Sequence, residues 1–328
     1  MFIKRNYGFW MTFNWSKTPF IYGFLYAAAI TALHYFFEFN IALPWQPVSI
    51  IGIAVAFYLG FKNNSSYDRT WEARKIWGSI VNNSRAFAAA VKAFVQGSKA
   101  TAFHKELVYR HIAWLTALRY QLRLSREWEH TEDRVKGLYI PTICEEYFHR
   151  MDDELMNFIP EAEFQYYKTK TNAATQLLAK QSLRLQELRD AGYFDDFRHM
   201  QLQGLITNFY EDQGKSERIK NFPFPRQYAS VALWLSMVFA VLLPFGMLDT
   251  FSKMGGWWLW ITVPMSALIT WVFFLMEKIG DYSENPFEGT YNDVPISSIA
   301  RGIEIDMREM IDDTDIPEAI KAENGFLM

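Results

Sequence analysis

The chain is poor in cysteine, in net charge and in the short motifs that mark most enzymes. Its 328 residues include one cysteine, Cys144, which cannot form a disulfide within the chain, and this excludes a secreted fold held together by internal disulfides. The formal net charge of -3 argues against a nucleic-acid partner. The sequence shows no glycine-rich phosphate loop, no serine–histidine–aspartate signature and no cysteine–histidine metal frame. We therefore expect a protein that is not an enzyme and has neither a cofactor nor a metal site.

Charge is also missing from four long apolar runs, and this absence is the strongest signal in the sequence. Each run is close to the roughly 20 residues that a helix needs to cross a bilayer core. The runs are Pro19–Phe37, Ile41–Phe61, Tyr228–Leu248 and Gly255–Met276, and His34 is the one member that could carry charge near neutral pH. Because a charge at the centre of such a helix costs about 2.5–3.5 kcal/mol, we predict an all-α integral membrane protein with four transmembrane helices.

Basic residues near the ends of these runs predict the orientation. They flank the outer ends of each pair of runs, whereas the two short connections within the pairs contain only Lys253. The flanking residues are Lys4, Arg5, Lys17, Lys62, Arg69, Arg74, Lys75, Lys220, Arg226 and Lys278. Since basic loops stay in the cytoplasm, we predict a multi-pass protein of the inner cell membrane with both termini cytoplasmic.

We expect one unit, spanning residues 1–328, built from five successive segments. They are a lead-in (1–18), spans one and two (19–61), a large helical cytoplasmic region (62–225), spans three and four (226–278) and a cytoplasmic tail (279–328). No strong helix breaker follows the second span, so its helix is predicted to continue into the cytoplasm. The segment Phe222-Pro-Phe-Pro225 predicts a rigid elbow before the third span.

One face of the second span combines bulky apolar residues at helical spacing. Ile53, Phe57 and Phe61 are four residues apart and so share a face. If several copies surrounded an axis, this face would form apolar rings that gate ions by dewetting. Ordinary helix packing and contact with lipid are alternatives that the spacing leaves open.

Three short motifs along the chain carry a family resemblance. The first runs from Gly60-Phe61 through Tyr67-Asp-Arg69 and Trp71-Glu-Ala-Arg-Lys75 to Trp77-Gly78. The second is Pro223-Phe-Pro225 followed by Tyr228, and the third is Glu284-Asn-Pro-Phe287 followed by Asn292-Asp293 and Pro295. In this order, and over nearly the whole chain, they resemble the bestrophin family of ion channels in its bacterial branch.

The resemblance implies a homopentamer in membrane lipid, with an axial pore for small monovalent ions. The family's neck, formed by three apolar residues of the second span, aligns with Ile53, Phe57 and Phe61. Its second constriction, the cytoplasmic aperture, aligns by gapless counting with Ile206; Leu205 and Leu202 are alternatives.

The permeant ion is harder to predict. The Ile-Phe-Phe neck resembles the animal bestrophins, which pass chloride, whereas bacterial relatives include cation-permeable members. Aromatic edges are electropositive and favour anions, whereas aromatic faces favour cations. We expect an anion channel, with a cation channel of the same fold as the alternative. Asp68, Arg69 and Glu72 are candidates for a ring of charge in the vestibule, with salt bridges as the competing interpretation.

Calcium regulation is not expected. In animal bestrophins an acidic run after Asn-Pro-Phe binds calcium, but here residues 288–293 hold only two carboxylates, and calcium prefers about six to eight oxygen ligands. The pair Glu145 and His149 shares a helix face, but we expect no metal there, because chance pairs are common in a region rich in carboxylates.

Two other classes of protein compete with a channel. A secondary transporter would commonly show an internal repeat and broken helices; Pro244 and Pro264 could break spans, but no repeat is present. A membrane-anchored enzyme or scaffold would use the central region, which shows no catalytic constellation.

Overall fold

Helices form nearly all the regular structure in the computed structural model, which describes residues 1–130, 151–290 and 292–327. Within these ranges the only β-structure is a pair of isolated bridges, Phe2 to Phe326 and Glu323 to Phe326. The helices are α1 (Phe9–Phe36), α2 (Trp45–Phe94), α3 (Ala100–Arg123), α4 (Met151–Met156), α5 (Glu161–Lys168), α6 (Ala173–Asp190), α7 (Asp196–Asn221), α8 (Arg226–Ser252), a 3-10 helix (Gly256–Ile261), α9 (Thr262–Asp281) and α10 (Ile296–Met310).

Four helical segments are long and apolar enough to cross a membrane, and they coincide with the four apolar runs. The prediction of an all-α membrane protein with four spans is confirmed. Helix α2 continues for 50 residues without a break, as the sequence indicated. Helix α1 begins at Phe9, so the second half of the expected lead-in is already helical, and Pro19 lies inside the helix without ending it.

The chain divides into two compact units. We call residues 4–69 and 223–284 the membrane unit, and residues 1–3, 70–222 and 285–328 the polar unit. Each unit is assembled from distant parts of the sequence, and α2 contributes one half to each.

Close helix packing organises the membrane unit. Helix α1 lies along α9, and the inner face of α2 packs Val55 and Leu59 against Phe239 and Leu243 of α8. Gly52 makes this crossing possible, because a Cβ atom there would lie 2.7 Å from the Phe239 ring. Small residues allow such approaches between membrane helices.

A large apolar core organises the polar unit. Helix α3 packs against α6 and α10, and the second half of α2 adds Trp77 and Phe87 to the same core. A side-chain cap and a turn fix the ends of the helices: Asp195 accepts a hydrogen bond at the start of α7, and Gly192 takes a φ of 81° just after α6. Helix α7 ends at Asn221 and α8 begins at Arg226, so helical structure is interrupted at residues 222–225, where the sequence predicts an elbow.

Candidate ion pathway

The predicted neck residues lie together on the open face of α2. Ile53, Phe57 and Phe61 are 70, 69 and 55% exposed on the protomer, whereas Val55 and Leu59 on the opposite face are buried. Exposure of large apolar side chains is favourable only where lipid or other copies of the chain cover them, or where they line a dewetted passage.

Two of these side chains hold each other in place. The Phe57 and Phe61 ring centroids are 4.7 Å apart with an interplanar angle of 83°, so the edge of one ring meets the face of the other. Such pairs contribute about 0.5–1.5 kcal/mol beyond area burial. The pair therefore restricts the rotamers of both rings.

A buried ion pair follows directly after the last neck residue. Lys62 is fully buried; its Nζ donates to Glu277 Oε1 of α9 at 2.7 Å and lies 3.8 Å from Asp281 Oδ1. The neighbouring Gly280 has no room for a side chain, because a Cβ atom there would collide with Asn63 Oδ1. An ammonium group buried at this position ties the end of the neck segment to the end of α9.

The three candidate vestibule charges have different surroundings. Asp68 is exposed. Arg69 donates through Nε to the Glu284 carbonyl at 2.9 Å, so its guanidinium holds the segment after α9. Glu72 accepts from Arg218 of α7 at 2.5 Å, which is a salt bridge within one protomer. Of the three, Glu72 thus has a salt-bridge partner, as the competing interpretation expects, while Asp68 remains a candidate for the ring of charge.

The predicted aperture residue lies in the core. Ile206 and Leu202 of α7 are fully buried in the polar unit, whereas Leu205 is only partly buried. A side chain that narrows a pore has to reach the surface of the protomer, so this burial argues against Ile206 and Leu202. Gapless counting selects Ile206, whose side chain faces the core of the polar unit. Leu205, one residue earlier in α7, is partly exposed.

The segment after Asn-Pro-Phe holds its two carboxylates in a network of protein donors. Asp293 accepts from Arg123 Nη1 at 2.7 Å, from Thr290 Oγ1 at 2.9 Å and from the Gly289 N–H at 2.5 Å. Glu288 lies 3.2 Å from His130 Nδ1 and accepts from the His130 N–H at 3.2 Å. Arg123, Glu288 and Asp293 are all buried.

Protein donors around Glu288 and Asp293 would compete with a calcium ion for the carboxylate oxygens. The carboxylate oxygens that would bind the ion are engaged by a guanidinium, an imidazole and N–H groups, and in the part of the chain that the structure describes no three metal-ligating side chains come together. Burial raises the pKa of Glu288, with His130 opposing this shift and Asp293 adding to it. Glu145, His149 and Cys144 lie outside the described residues.

Comparison with known proteins identifies the family. The model of the bacterial and fungal bestrophin proteins matches residues 17–309. The chain belongs to this family. A bestrophin homologue from Klebsiella pneumoniae has a crystal structure that covers 90% of this chain and 98% of its own, with a TM-score of 0.75 and 22% identity, which shows that the fold is shared.

Curated relatives of this bestrophin extend over nearly the same length. A protein of Mesorhizobium japonicum is 27% identical over 310 residues, covering 94% of this chain and 89% of its own. One of Escherichia coli K12 is 26% identical over 299 residues, covering 91 and 87%. Both are named voltage-dependent anion channel-forming proteins. The family resemblance is thus confirmed, and so is the expectation that the chain is not an enzyme.

Several structurally important residues of this bestrophin were not found by sequence reasoning. From the sequence, Lys62 was named only as a basic residue that flanks a span, and neither Glu277 nor Arg123 was singled out. The partners of Lys62 and Arg123 are 215 and 170 residues away along the chain. The signal that could have found them is local: a lysine directly after an apolar neck, and an acidic pair four residues apart at the end of a span, at Glu277 and Asp281.

Proposed function

We propose that this bestrophin is an anion channel of the inner cell membrane, with both termini in the cytoplasm. The observation that carries the proposal is the exposed apolar face of Ile53, Phe57 and Phe61 on a membrane helix. It is supported by the family match and by relatives that are named anion channel-forming proteins.

The proposed channel is a homopentamer with the α2 helices around the axis. In this arrangement the three side chains form successive apolar rings about 6 Å apart along the helix, and a constriction of that kind gates ions by dewetting. For the cytoplasmic aperture we now propose Leu205, because it is the only one of the three candidates that is partly open on the protomer.

Recording of single channels in a planar bilayer under a sodium chloride gradient tests the function. Discrete current steps that reverse near the chloride equilibrium potential are expected. Reversal at the sodium value would refute anion selectivity, and silence from a protein that is monomeric by mass photometry would refute the channel itself.

Replacement of Ile53, Phe57 and Phe61 by alanine tests the neck. The triple variant is expected to have a larger single-channel conductance, because the constriction widens and is wetted more readily. A matched control replaces Ile21, Leu25 and Val238, which are also exposed apolar residues of the membrane unit but lie on α1 and α8. Equal conductance of the neck variant and the wild type would place the constriction elsewhere.

A cation channel of the same fold is the second candidate, favoured by one observation. Asp68 is exposed beyond the neck, and a ring of carboxylates attracts cations. If the channel is cation-selective, Asp68→Asn should lower its conductance at low salt, whereas in an anion channel the same change should raise it. The sign of the reversal potential in wild-type protein separates the two.

We further propose that gating does not require calcium. The support is the engagement of Glu288 and Asp293 by His130 and Arg123. Current that persists in a calcium chelator is expected, and loss of current that added calcium restores would overturn the proposal.

A further inference from the structure

A cavity of about 420 Å³ lies within the polar unit and is lined by none of the residues of the proposed neck. It is bounded by α3, α4, α10 and the tail that follows α10. One wall is apolar and the other is charged. The apolar wall consists of Tyr109, Ile112, Leu115, Phe158, Ala300 and Pro317, and the charged groups are Arg119, Arg301, Arg308, Glu154, Glu304 and Asp315.

Two arginines of α10 pair with the same carboxylate in this cavity. Arg301 Nε is 3.2 Å and Arg308 Nη2 is 3.1 Å from the carboxylate oxygens of Glu304. The Arg308 side chain is 7% exposed, and its Nε has no hydrogen-bond partner among the described residues. A guanidinium has five N–H donors, and its fork geometry suits a second carboxylate.

Aromatic rings flank the same guanidinium. The Arg308 Cζ atom lies 4.8 Å from the centre of the Tyr109 ring and 5.7 Å from that of Phe158. These rings hold the guanidinium in place through cation–π attraction. They also provide a wall on which the apolar part of a ligand can pack next to the charged group.

We propose that this cavity binds a small organic carboxylate, with its carboxyl group on Arg301 and Arg308 and its apolar body against Tyr109 and Phe158. The volume lies within the range of about 300–1,000 Å³ that is usual for small-molecule sites. Apolar walls with a few converging polar groups are also typical of such sites. The proposal does not depend on ion conduction.

Glu304 acts in this site as an internal competitor of the ligand. Burial raises its pKa, against the opposing effects of Arg301, Arg308 and Arg119 and with a further rise from Glu154. Asp315 of the tail also faces Arg308, at 3.5 Å. Arg308 also donates through Nη1 to the Asp315 carbonyl. When Glu304 is neutral, its ion pairs with Arg301 and Arg308 are lost and the contacts of Arg308 with Asp315 remain, so removal of the Glu304 charge should strengthen the binding of an added carboxylate.

Isothermal calorimetry on the full-length protein in detergent tests the proposal with phenylacetate as the probe. Phenylacetamide has the same body without the charge, and acetate has the charge without the body. We expect phenylacetate to bind at least about tenfold more tightly than either, because a hydrogen bond to a charged group and an apolar contact are each lost in one of the two controls.

Variants with opposite expected effects locate the binding. Arg301→Gln should weaken phenylacetate binding about tenfold, and Glu304→Gln should tighten it. The matched control is Arg85→Gln, because Arg85 also pairs with an α10 carboxylate, Asp306, but lies outside the cavity; its affinity should equal that of the wild type.

Three results would overturn the proposal. They are the absence of phenylacetate binding to the wild type, binding that neither cavity variant changes, and shifts of the same sign in both. Binding that neither variant changes would indicate a site elsewhere, such as the pore. Because the two variants are read separately, failure of one to fold leaves the other as a test.

Discussion

The two halves of α2 place similar side chains in opposite environments. In residues 45–69 several exposed positions are bulky and apolar, such as Ile53 and Phe57, while a lysine, Lys62, is buried. In residues 70–94 the aromatic residues Trp77 and Phe87 are buried, while Arg74 is exposed. The two halves of one continuous helix thus differ in the side chains that they expose and bury.

The difference shows that exposure of an apolar side chain has a different energetic consequence in the two halves of α2. In water an apolar side chain gains about 25 cal/mol per Å² by burial, so the second half turns Trp77 and Phe87 inward. In a bilayer that gain is absent, and polar groups are the ones that need protein partners. The buried face is apolar in both halves, with Val55 and Leu59 in the first and Trp77 and Phe87 in the second. The halves differ on the open face, which carries Phe57 in the first and Arg74 in the second.

Truncation of an aromatic side chain in each half should show the contrast most strongly. Trp77→Ala removes a fully buried indole and is expected to lower the free energy of unfolding by about 3–5 kcal/mol. Phe57→Ala removes an exposed ring and should cost less than about 1 kcal/mol. Chemical unfolding of the detergent-solubilised protein, followed by circular dichroism, measures both. Equal losses would show that Phe57 is buried in the assembly.

Replacement of the buried Lys62 tests whether a buried ion pair stabilises the membrane half of α2. Lys62→Met leaves Glu277 without its ammonium partner and should cost about 3–5 kcal/mol. Lys92→Met, in the other half, breaks an exposed pair with Asp312 and should cost at most about 1 kcal/mol. Chemical unfolding again provides the measurement, and the double change Lys62→Met with Glu277→Gln should recover part of the loss. A double variant as unstable as the single one would contradict this account.

Glycine substitutions in the membrane half should give a smaller difference in stability. Gly52→Ala places a Cβ atom 2.7 Å from Phe239 and should destabilise the protein by about 1–3 kcal/mol. Gly60→Ala meets nothing within 4 Å in the protomer and should be neutral or stabilising by up to about 1 kcal/mol. Thermal unfolding of both variants checks this. Destabilisation by Gly60→Ala would mean that another copy of the chain packs against it.

A histidine in the core next to the second half of α2 should produce a modest pH dependence. His111 packs near Phe87 and lies with Nε2 2.9 Å from Ser84 Oγ, and burial lowers its pKa to about 3. The unfolded chain binds this proton below about pH 6.5 and the folded chain does not, so stability falls as the pH drops. We expect a loss of about 1 kcal/mol between about pH 7.5 and 5.5 in chemical unfolding. His111→Gln should lack this part of the slope; an unchanged slope would assign it to other groups.

Sequence reasoning predicted the fold better than the site. The four spans, the uninterrupted α2 and the elbow at residues 222–225 follow from local patterns, because a bilayer imposes length and charge limits on single segments. The aperture residue stays a prediction: Ile206 is buried and Leu205 is partly exposed, and a shift of one residue in the counting moves the side chain by about 100° around a helix. The partners of Lys62 and Arg123 were out of reach, because nothing local indicates a contact with a residue 215 or 170 positions away.

The sequence by itself determined that this chain is a four-span bestrophin, since apolar length, basic flanks and three ordered motifs are properties of the linear chain. Only the tertiary structure decided which charges are neutralised within the protein. It placed Arg123 on Asp293 and His130 on Glu288, and it paired Arg301 and Arg308 with Glu304. Pairing of buried charges depends on distance and burial in space, and those become known only when distant helices are packed together.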